Sequence, residues 1–150
     1  MHVRGIITLV ICTIARLAVA DICDARYGTF ETPAGFSFQH TGTIDSFRGK
    51  VTREGDGFTI SFDIGGMAGI HMHESRRRDC TFYREHYING IPAYTCIKRV
   101  DKGQEIATTI CDLKRVKDPA NFWAEITNDS DIAEFLLIVS TYKPKTKEHP

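Results

Sequence analysis

Residues 58–64 read Phe-Thr-Ile-Ser-Phe-Asp-Ile, a strict alternation of large apolar and polar side chains that ends at Gly65-Gly66. Successive side chains of a β-strand point to opposite faces, so this period of two predicts a half-buried strand with its apolar face toward a core. The turn sequence Glu54-Gly-Asp-Gly57 comes directly before it. This turn predicts that residues 49–53 form the other arm of a hairpin. The stretch therefore favours an antiparallel β fold.

A second hairpin is predicted at Asn89-Gly90, because a type I′ turn needs positive φ at both central residues. Runs rich in β-forming residues flank it at 82–88 and 91–97. A further turn over residues 101–104 leads into residues 105–111, which completes a three-stranded meander. If Lys102-Gly103 is the two-residue loop, Cys96 lies opposite Thr109 in this meander.

The C-terminal third contains sequence signals for helices and for strands. Asp118-Pro119 predicts a short helix over residues 119–125, with the aspartate as N-cap and the proline in the first helical position. Residues 131–134 resemble a capping box, whereas residues 137–142 are rich in β-branched side chains, and we expect a strand over residues 135–142. The fold prediction is one all-β domain over residues 21–142, a small antiparallel sandwich or barrel of about six to eight strands with one short helix. Residues 143–150 are expected to be a polar, disordered tail.

Residues 1–20 have the composition of a secretory signal peptide. Arg4 precedes an uncharged stretch at 5–14, and Ala18-Val19-Ala20 supplies small residues for cleavage. The apolar stretch is too short for a membrane span, which needs roughly 20 residues, and no later segment of the chain is long enough. We expect cleavage after Ala20, a mature chain that starts at Asp21, a secreted, extracellular location and no membrane anchor.

Cleavage would remove Cys12 and leave four cysteines, which are Cys23, Cys80, Cys96 and Cys111. An even number in an oxidising compartment predicts two disulfides, and three pairings are open. The meander register places no two cysteines directly opposite, so we expect at least one bridge to join Cys23 to the meander. The secretory route also gives meaning to Asn128-Asp-Ser130, which is an N-glycosylation sequon.

Histidines provide the candidate metal site. On a strand, His71 and His73 would point to the same face and could share Zn²⁺ or Cu²⁺ with His40 or His86. Two ligands without a third nearby in the sequence are a weak pattern. We therefore expect no metal and no other cofactor.

An acid–base site is the enzymatic alternative. A secreted hydrolase of ribonuclease type needs a base, an acid and a cation for the phosphate, and His40, Glu74, Arg84 and His86 are the candidates. The sequence contains no nucleophile-elbow, zinc-protease or phosphate-loop motif. A protein without enzymatic activity is favoured.

Basic residues are concentrated in the middle of the chain. Cleavage removes Arg4 and Arg16 and changes the formal net charge from 0 to −2, yet residues 76–117 are strongly basic. The predicted binding surface, which faces an anionic partner, consists of Arg76, Arg77, Arg78, Arg84, Lys98 and Arg99.

The functional prediction is a small, disulfide-stabilised, secreted binding protein. It would be an effector, inhibitor or scavenger that acts on an extracellular macromolecule. The alternatives are the ribonuclease-type hydrolase and a closed β-barrel that carries a small apolar ligand, because the many phenylalanines suit either a filled core or a ligand cavity.

Overall fold

The computed structural model describes residues 20–72, 74–114 and 118–145 of the 150-residue chain. These residues form ten strands, one 3₁₀ helix and one α-helix. In chain order they are β1 Asp21–Asp24, β2 Gly28–Thr32, β3 Phe36–Thr43, β4 Phe47–Arg53, β5 Thr59–Ile64, the 3₁₀ helix Glu74–Asp79, β6 Phe82–Ile88, β7 Ile91–Val100, β8 Gly103–Ile110, β9 Ala120–Ile126, α1 Asp129–Ser140 and β10 Lys143–Pro144.

The strands form two antiparallel sheets in a sandwich-like arrangement. The large sheet has the order β3-β4-β5-β9-β8-β7-β6, and the small sheet has the order β1-β2-β10. The predicted all-β sandwich is confirmed, while the closed barrel is not formed because the large sheet ends at β3 and β6. The strands outnumber the predicted six to eight because short strands from both ends of the domain pair with β2.

The core lies between the small sheet and the inner face of the large sheet. Ile60, Phe62 and Ile64 of β5 are buried there, which confirms the predicted alternation. Phe30 of β2 packs edge-on against Phe62, with ring centroids 5.2 Å apart, and against Phe122 of β9 at 5.4 Å. These aromatic contacts join the two sheets.

The helix is not where it was predicted. Residues 120–126 form the central strand β9, because alternate residues from Ala120 to Ile126 face the core between β5 and β8. Residues 129–140 form α1, so the predicted strand over 135–142 is wrong. Asn128 caps this helix in a capping box with Asp131. Burial of one helical face then overrides the β propensity of residues 137–142.

The meander forms, with one correction to its register. Asn89 and Gly90 both have positive φ, and Ile88 pairs with Ile91 as expected. The turn between β7 and β8 is residues 101–102 rather than 102–103, so Cys96 lies opposite Ala107 instead of Thr109. A shift of two residues leaves every side chain on its original face, so the hydrophobic pattern does not distinguish the two registers.

One of the two predicted disulfides is formed. Cys80 and Cys96 are bridged with their Cα atoms 5.6 Å apart. Cys80 lies before the first residue of β6, so the pairing of β6 with β7 does not fix its position. It can therefore reach Cys96 of β7 although the two cysteines are not opposed in the register. Cys23 and Cys111 are buried thiols, and the bridge expected from Cys23 to the meander is therefore a wrong prediction.

The predicted tail begins with an ordered segment. Lys143 and Pro144 pair with β2, and Lys145 Nζ lies 2.6 Å from an oxygen of Asp24. Residues 146–150 lie outside the described part of the chain. Within that part, neither helix is long and apolar enough to cross a membrane.

Candidate ligand-binding cleft

A cleft of about 660 Å³ separates helix α1 from the inner face of β6, β7 and β8. We call it the helix cleft. Its volume lies within the range of roughly 300–1,000 Å³ that is typical of sites for small molecules. Its floor is the sheet and its wall is one side of the helix.

The floor is built from rows of side chains that neighbouring strands place side by side. Phe82 of β6 pairs with Ile97 of β7, which pairs with Ile106 of β8, and this row is entirely apolar. Two residues further along β6, the next row consists of Arg84, Thr95 and Thr108. An apolar end of the cleft thus lies directly beside a polar one.

The wall is an apolar stripe of the helix. Ile132, Leu136 and Val139 follow one another at spacings of four and three residues, so they share one side of α1. A different stripe of the same helix, which includes Phe135 and Ile138, is fully buried in the core. Leu136 remains 41% exposed, and Phe82 on the floor remains 49% exposed. The mouth of the cleft is therefore apolar and open to solvent.

The polar part of the floor is a chain of hydrogen bonds that runs from the half-buried His86 to two buried threonines. His86 Nε2 lies 2.9 Å from Thr95 Oγ1, which lies 2.8 Å from Thr108 Oγ1. Burial lowers the pKa of His86 and the positive charge of Arg84 lowers it further. The imidazole is therefore neutral at pH 7, and its ring nitrogen and the two hydroxyls satisfy one another.

Ion pairs and hydrogen bonds hold the helix wall in place at both ends. In the first two turns of α1, the Arg53 guanidinium lies 2.8 Å from Asp131 and 2.5 Å from Glu134, and it also contacts Asp56. At the other end, Asn89 Nδ2 donates to the carbonyl oxygen of Tyr142 at 2.7 Å. These contacts fix the helix relative to the hairpins β4–β5 and β6–β7.

The candidate catalytic residues are not brought together. Arg84 and His86 share the inner face of β6, as expected, but His40 lies on β3 at the opposite edge of the large sheet and stacks on Phe47 with ring centroids 4.4 Å apart. The side chain of Glu74 lies outside the described part of the structure. The structure therefore does not bring His40 to Arg84 and His86, because β3 and β6 are the two edge strands of the large sheet.

The candidate metal ligands are also placed differently from the prediction. His71 lies in the loop after β5 rather than on a strand, and His73 lies outside the described residues. Asn121 fastens this loop to the outer face of the sheet, since its Oδ1 accepts from the backbone N–H of His71 at 3.2 Å and its Nδ2 donates to the carbonyl of Gly69 at 3.1 Å. The described residues contain no group of three side chains suited to a metal.

The predicted basic surface is divided between two faces. Arg76, Arg77 and Arg78 are exposed on the 3₁₀ helix, and Arg77 lies over the ring of Tyr83 at 5.7 Å. Lys98 lies on the outer face of the large sheet, 2.8 Å from Glu105. Arg84 and Arg99 lie on the inner face, because alternate residues of a strand point in opposite directions.

Asn128 of the sequon is exposed at the start of α1. Its Oδ1 accepts from the backbone N–H of Asp131 at 3.1 Å, and its Nδ2 donates to Thr127 Oγ1 at 3.2 Å. The residue that would carry a glycan is thus also the N-cap of the helix.

The sequence did not predict the cleft, because residues 135–142 were expected to form a strand and the wall of the cleft is a helix. The spacing of Ile132, Leu136 and Val139 was the available signal, and the β-favouring composition of residues 137–142 outweighed it. Comparisons with protein-family models, with curated proteins and with solved structures found no match to this chain.

Proposed function

We propose that this chain is a secreted binding protein that takes a small apolar molecule into the helix cleft. The observation that carries the proposal is the pair of exposed apolar side chains at the mouth, Phe82 on the sheet and Leu136 on the helix. Apolar surfaces that face each other across a gap, rather than packing together, favour an apolar occupant. The ion pairs of Arg53 with Asp131 and Glu134 hold the N-terminal half of α1 in place.

Binding is favoured over hydrolysis by the composition of the cleft. It contains one imidazole and one guanidinium, and no carboxylate among the described residues lines it. General acid–base catalysis needs two groups that exchange protons with the substrate, and the half-buried His86 is already bonded to Thr95. The ribonuclease-type alternative therefore has no support in this site.

Two neighbouring leucines provide a matched test. Leu136 lines the cleft, whereas Leu137 is 56% exposed on the same helix and is not among the cleft residues. We expect the neutral fluorescent probe N-phenyl-1-naphthylamine to bind the wild type and Leu137→Ser with equal affinity. Leu136→Ser should bind it roughly tenfold more weakly, because contact with about one buried side chain is lost. Absence of binding, or equal loss in both variants, would contradict the proposal.

A second candidate function is supported by the three arginines of the 3₁₀ helix. Arg76, Arg77 and Arg78 are exposed, and the Cys80–Cys96 disulfide fastens the end of their helix to β7. A fixed group of cations suits an anionic extracellular macromolecule.

Retention on a heparin column tests this second function. The salt concentration that elutes the protein should fall when all three arginines are replaced by serine, and it should be unchanged in Leu136→Ser. Equal elution of the wild type and the triple variant would exclude an anion-binding role for this helix.

A further inference from the structure

We propose that the ligand of the helix cleft is an amphipathic acid, with an apolar body over the row Phe82, Ile97 and Ile106 and one acidic group at Arg84. This inference rests on the proposed function and adds the chemical class of the ligand. It follows from which charges line the cleft and from where they lie relative to its apolar end.

Of the described side chains that line the cleft, Arg84 is the one that carries a full charge at pH 7. Among the described residues that line it, none is a lysine, aspartate or glutamate, and His86 is neutral at pH 7. No carboxylate in the described part of the chain lies within 4 Å of the Arg84 guanidinium, in contrast to Arg53 and Lys98. The guanidinium is thus available to a carboxylate of the ligand, and one acid would match the single positive charge.

The position of Arg84 determines how such a ligand would lie. Arg84 is two residues from Phe82 on the same face of β6, about 7 Å along the strand. An acid paired with Arg84 therefore has its apolar chain beside Phe82 and Ile97, under Ile132 and Leu136 of the helix. A guanidinium binds a carboxylate through two parallel N–H donors, which would fix the orientation of the bound molecule.

The remaining polar groups of the floor do not compete for the acid. Thr95 and Thr108 are buried and bonded to each other, and Thr95 is also bonded to His86. They offer no second cation, so a ligand with two acidic groups would leave one of them unpaired. A ligand without an acid would leave Arg84 without a partner, and it would gain only the apolar contacts.

The test compares two ligands that differ only in their head group. Decanoate and decan-1-ol are titrated against protein loaded with N-phenyl-1-naphthylamine, and displacement of the probe is followed by fluorescence at pH 7.5. We expect decanoate to bind roughly tenfold more tightly than decan-1-ol, as a charge-assisted pair contributes more than a neutral hydrogen bond.

Two variants assign this preference to Arg84. Arg84→Gln should abolish the preference, so that decanoate and decan-1-ol displace the probe from this variant with similar affinity. Lys102→Gln removes one positive charge from the exposed β7–β8 turn, away from the cleft, and should keep the preference intact.

The outcomes separate this inference from the proposed function. If decanoate and decan-1-ol displace the probe equally, or if Arg84→Gln retains the preference, the acidic ligand is excluded while the apolar cleft stands. If the probe itself does not bind, both proposals fail.

Discussion

At the scale of single residues, His86 connects the stability of the protein to pH. Its pKa is lowered by burial and by Arg84, and burial likewise lowers the pKa of His71. In the unfolded chain a histidine takes up its proton near pH 6.5, whereas these two stay neutral in the fold to lower pH. The free energy of unfolding therefore falls as the pH drops below 6.5, and the loss levels off below the folded pKa values.

We expect His86→Gln to reduce this loss, because glutamine cannot take up a proton. Urea unfolding curves of the wild type and the variant, recorded from pH 8 to pH 5, measure the effect. The two free energies should converge as the pH falls. Parallel pH profiles would show that His86 does not contribute to the acid sensitivity.

Asn128 combines two roles that neighbouring substitutions separate. In a secretory host, we expect Asn128→Asp and Ser130→Ala to abolish the glycan and the associated mass shift, since both destroy the sequon. Both keep an oxygen at the N-cap, so the free energy of unfolding should stay close to that of the unglycosylated wild type. Asn128→Ala should lose the glycan and also about 1 kcal/mol of stability through loss of the cap. A persistent mass shift in Ser130→Ala would show that the sequon is not used.

The role of a single residue was predictable where residues next to it in the sequence determine its conformation or contacts. The turn at Asn89-Gly90 was predictable because the backbone preference of two adjacent residues determines it. The pairing of His86 with Thr95 was not, because it requires the register of β6 with β7 and a knowledge of which face is covered.

At the scale of elements, the disulfide fastens the end of the 3₁₀ helix to the large sheet. The bridge links Cys80, directly after this helix, to Cys96 in the middle of β7, at a separation of 16 residues. Cys96 and Met72 form a small buried cluster on the outer face of the sheet, on the side opposite the helix cleft.

We expect the double variant Cys80→Ser/Cys96→Ser to lose about 3 kcal/mol in the free energy of unfolding, the usual contribution of a bridge that closes a loop of this length. Probe binding in the cleft should be unchanged, because the bridge lies on the other face of the sheet. Urea unfolding and fluorescence titration measure the two effects. Wild-type protein treated with a reductant provides the comparison, and loss of probe binding in the double variant would contradict the separation of the two faces.

The strands with strict alternation were predictable, and the C-terminal elements were not. Residues 58–64 alternate because β5 has a core on one side and mostly polar groups on the other. Residues 120–126 also alternate, but Ala120 and Ala124 carry small side chains, so the Asp118-Pro119 helix signal outweighed them. Residues 137–142 favour a strand by composition, yet residues 137–140 are helical, with the N-cap at Asn128 and the packing of Phe135 and Ile138 against the core both favouring α1.

At the scale of the whole molecule, cleavage after Ala20 is compatible with the fold. Strand β1 begins at Asp21, the first residue of the expected mature chain, so removal of residues 1–20 would leave every described element in place. We expect a full-length chain expressed in a secretory host to enter the medium with Asp21 at its N-terminus. Mass spectrometry of the secreted protein measures this, and retention of the chain in the cells with residues 1–20 attached would contradict it.

The fold class was predictable from the two-residue alternation of apolar side chains, the turn sequences and the cysteines. The helix cleft was not, because it is formed by segments that lie far apart in the sequence. Its floor comes from the meander, which is local in sequence. Its wall comes from α1, which is separated from the floor strands by β9. The helix is held by Arg53, which lies far earlier in the chain.

The small sheet also determines the order in which this molecule can fold. Its central strand β2 pairs with β1 next to it in sequence, but its other edge pairs with Lys143 and Pro144, more than 100 residues later. Contacts between such distant segments carry the largest loop-closure entropy and form slowly. The meander, whose strands follow one another directly, can assemble first. We therefore expect the edge of β2 that binds β10 to close last, after the rest of the sandwich has formed.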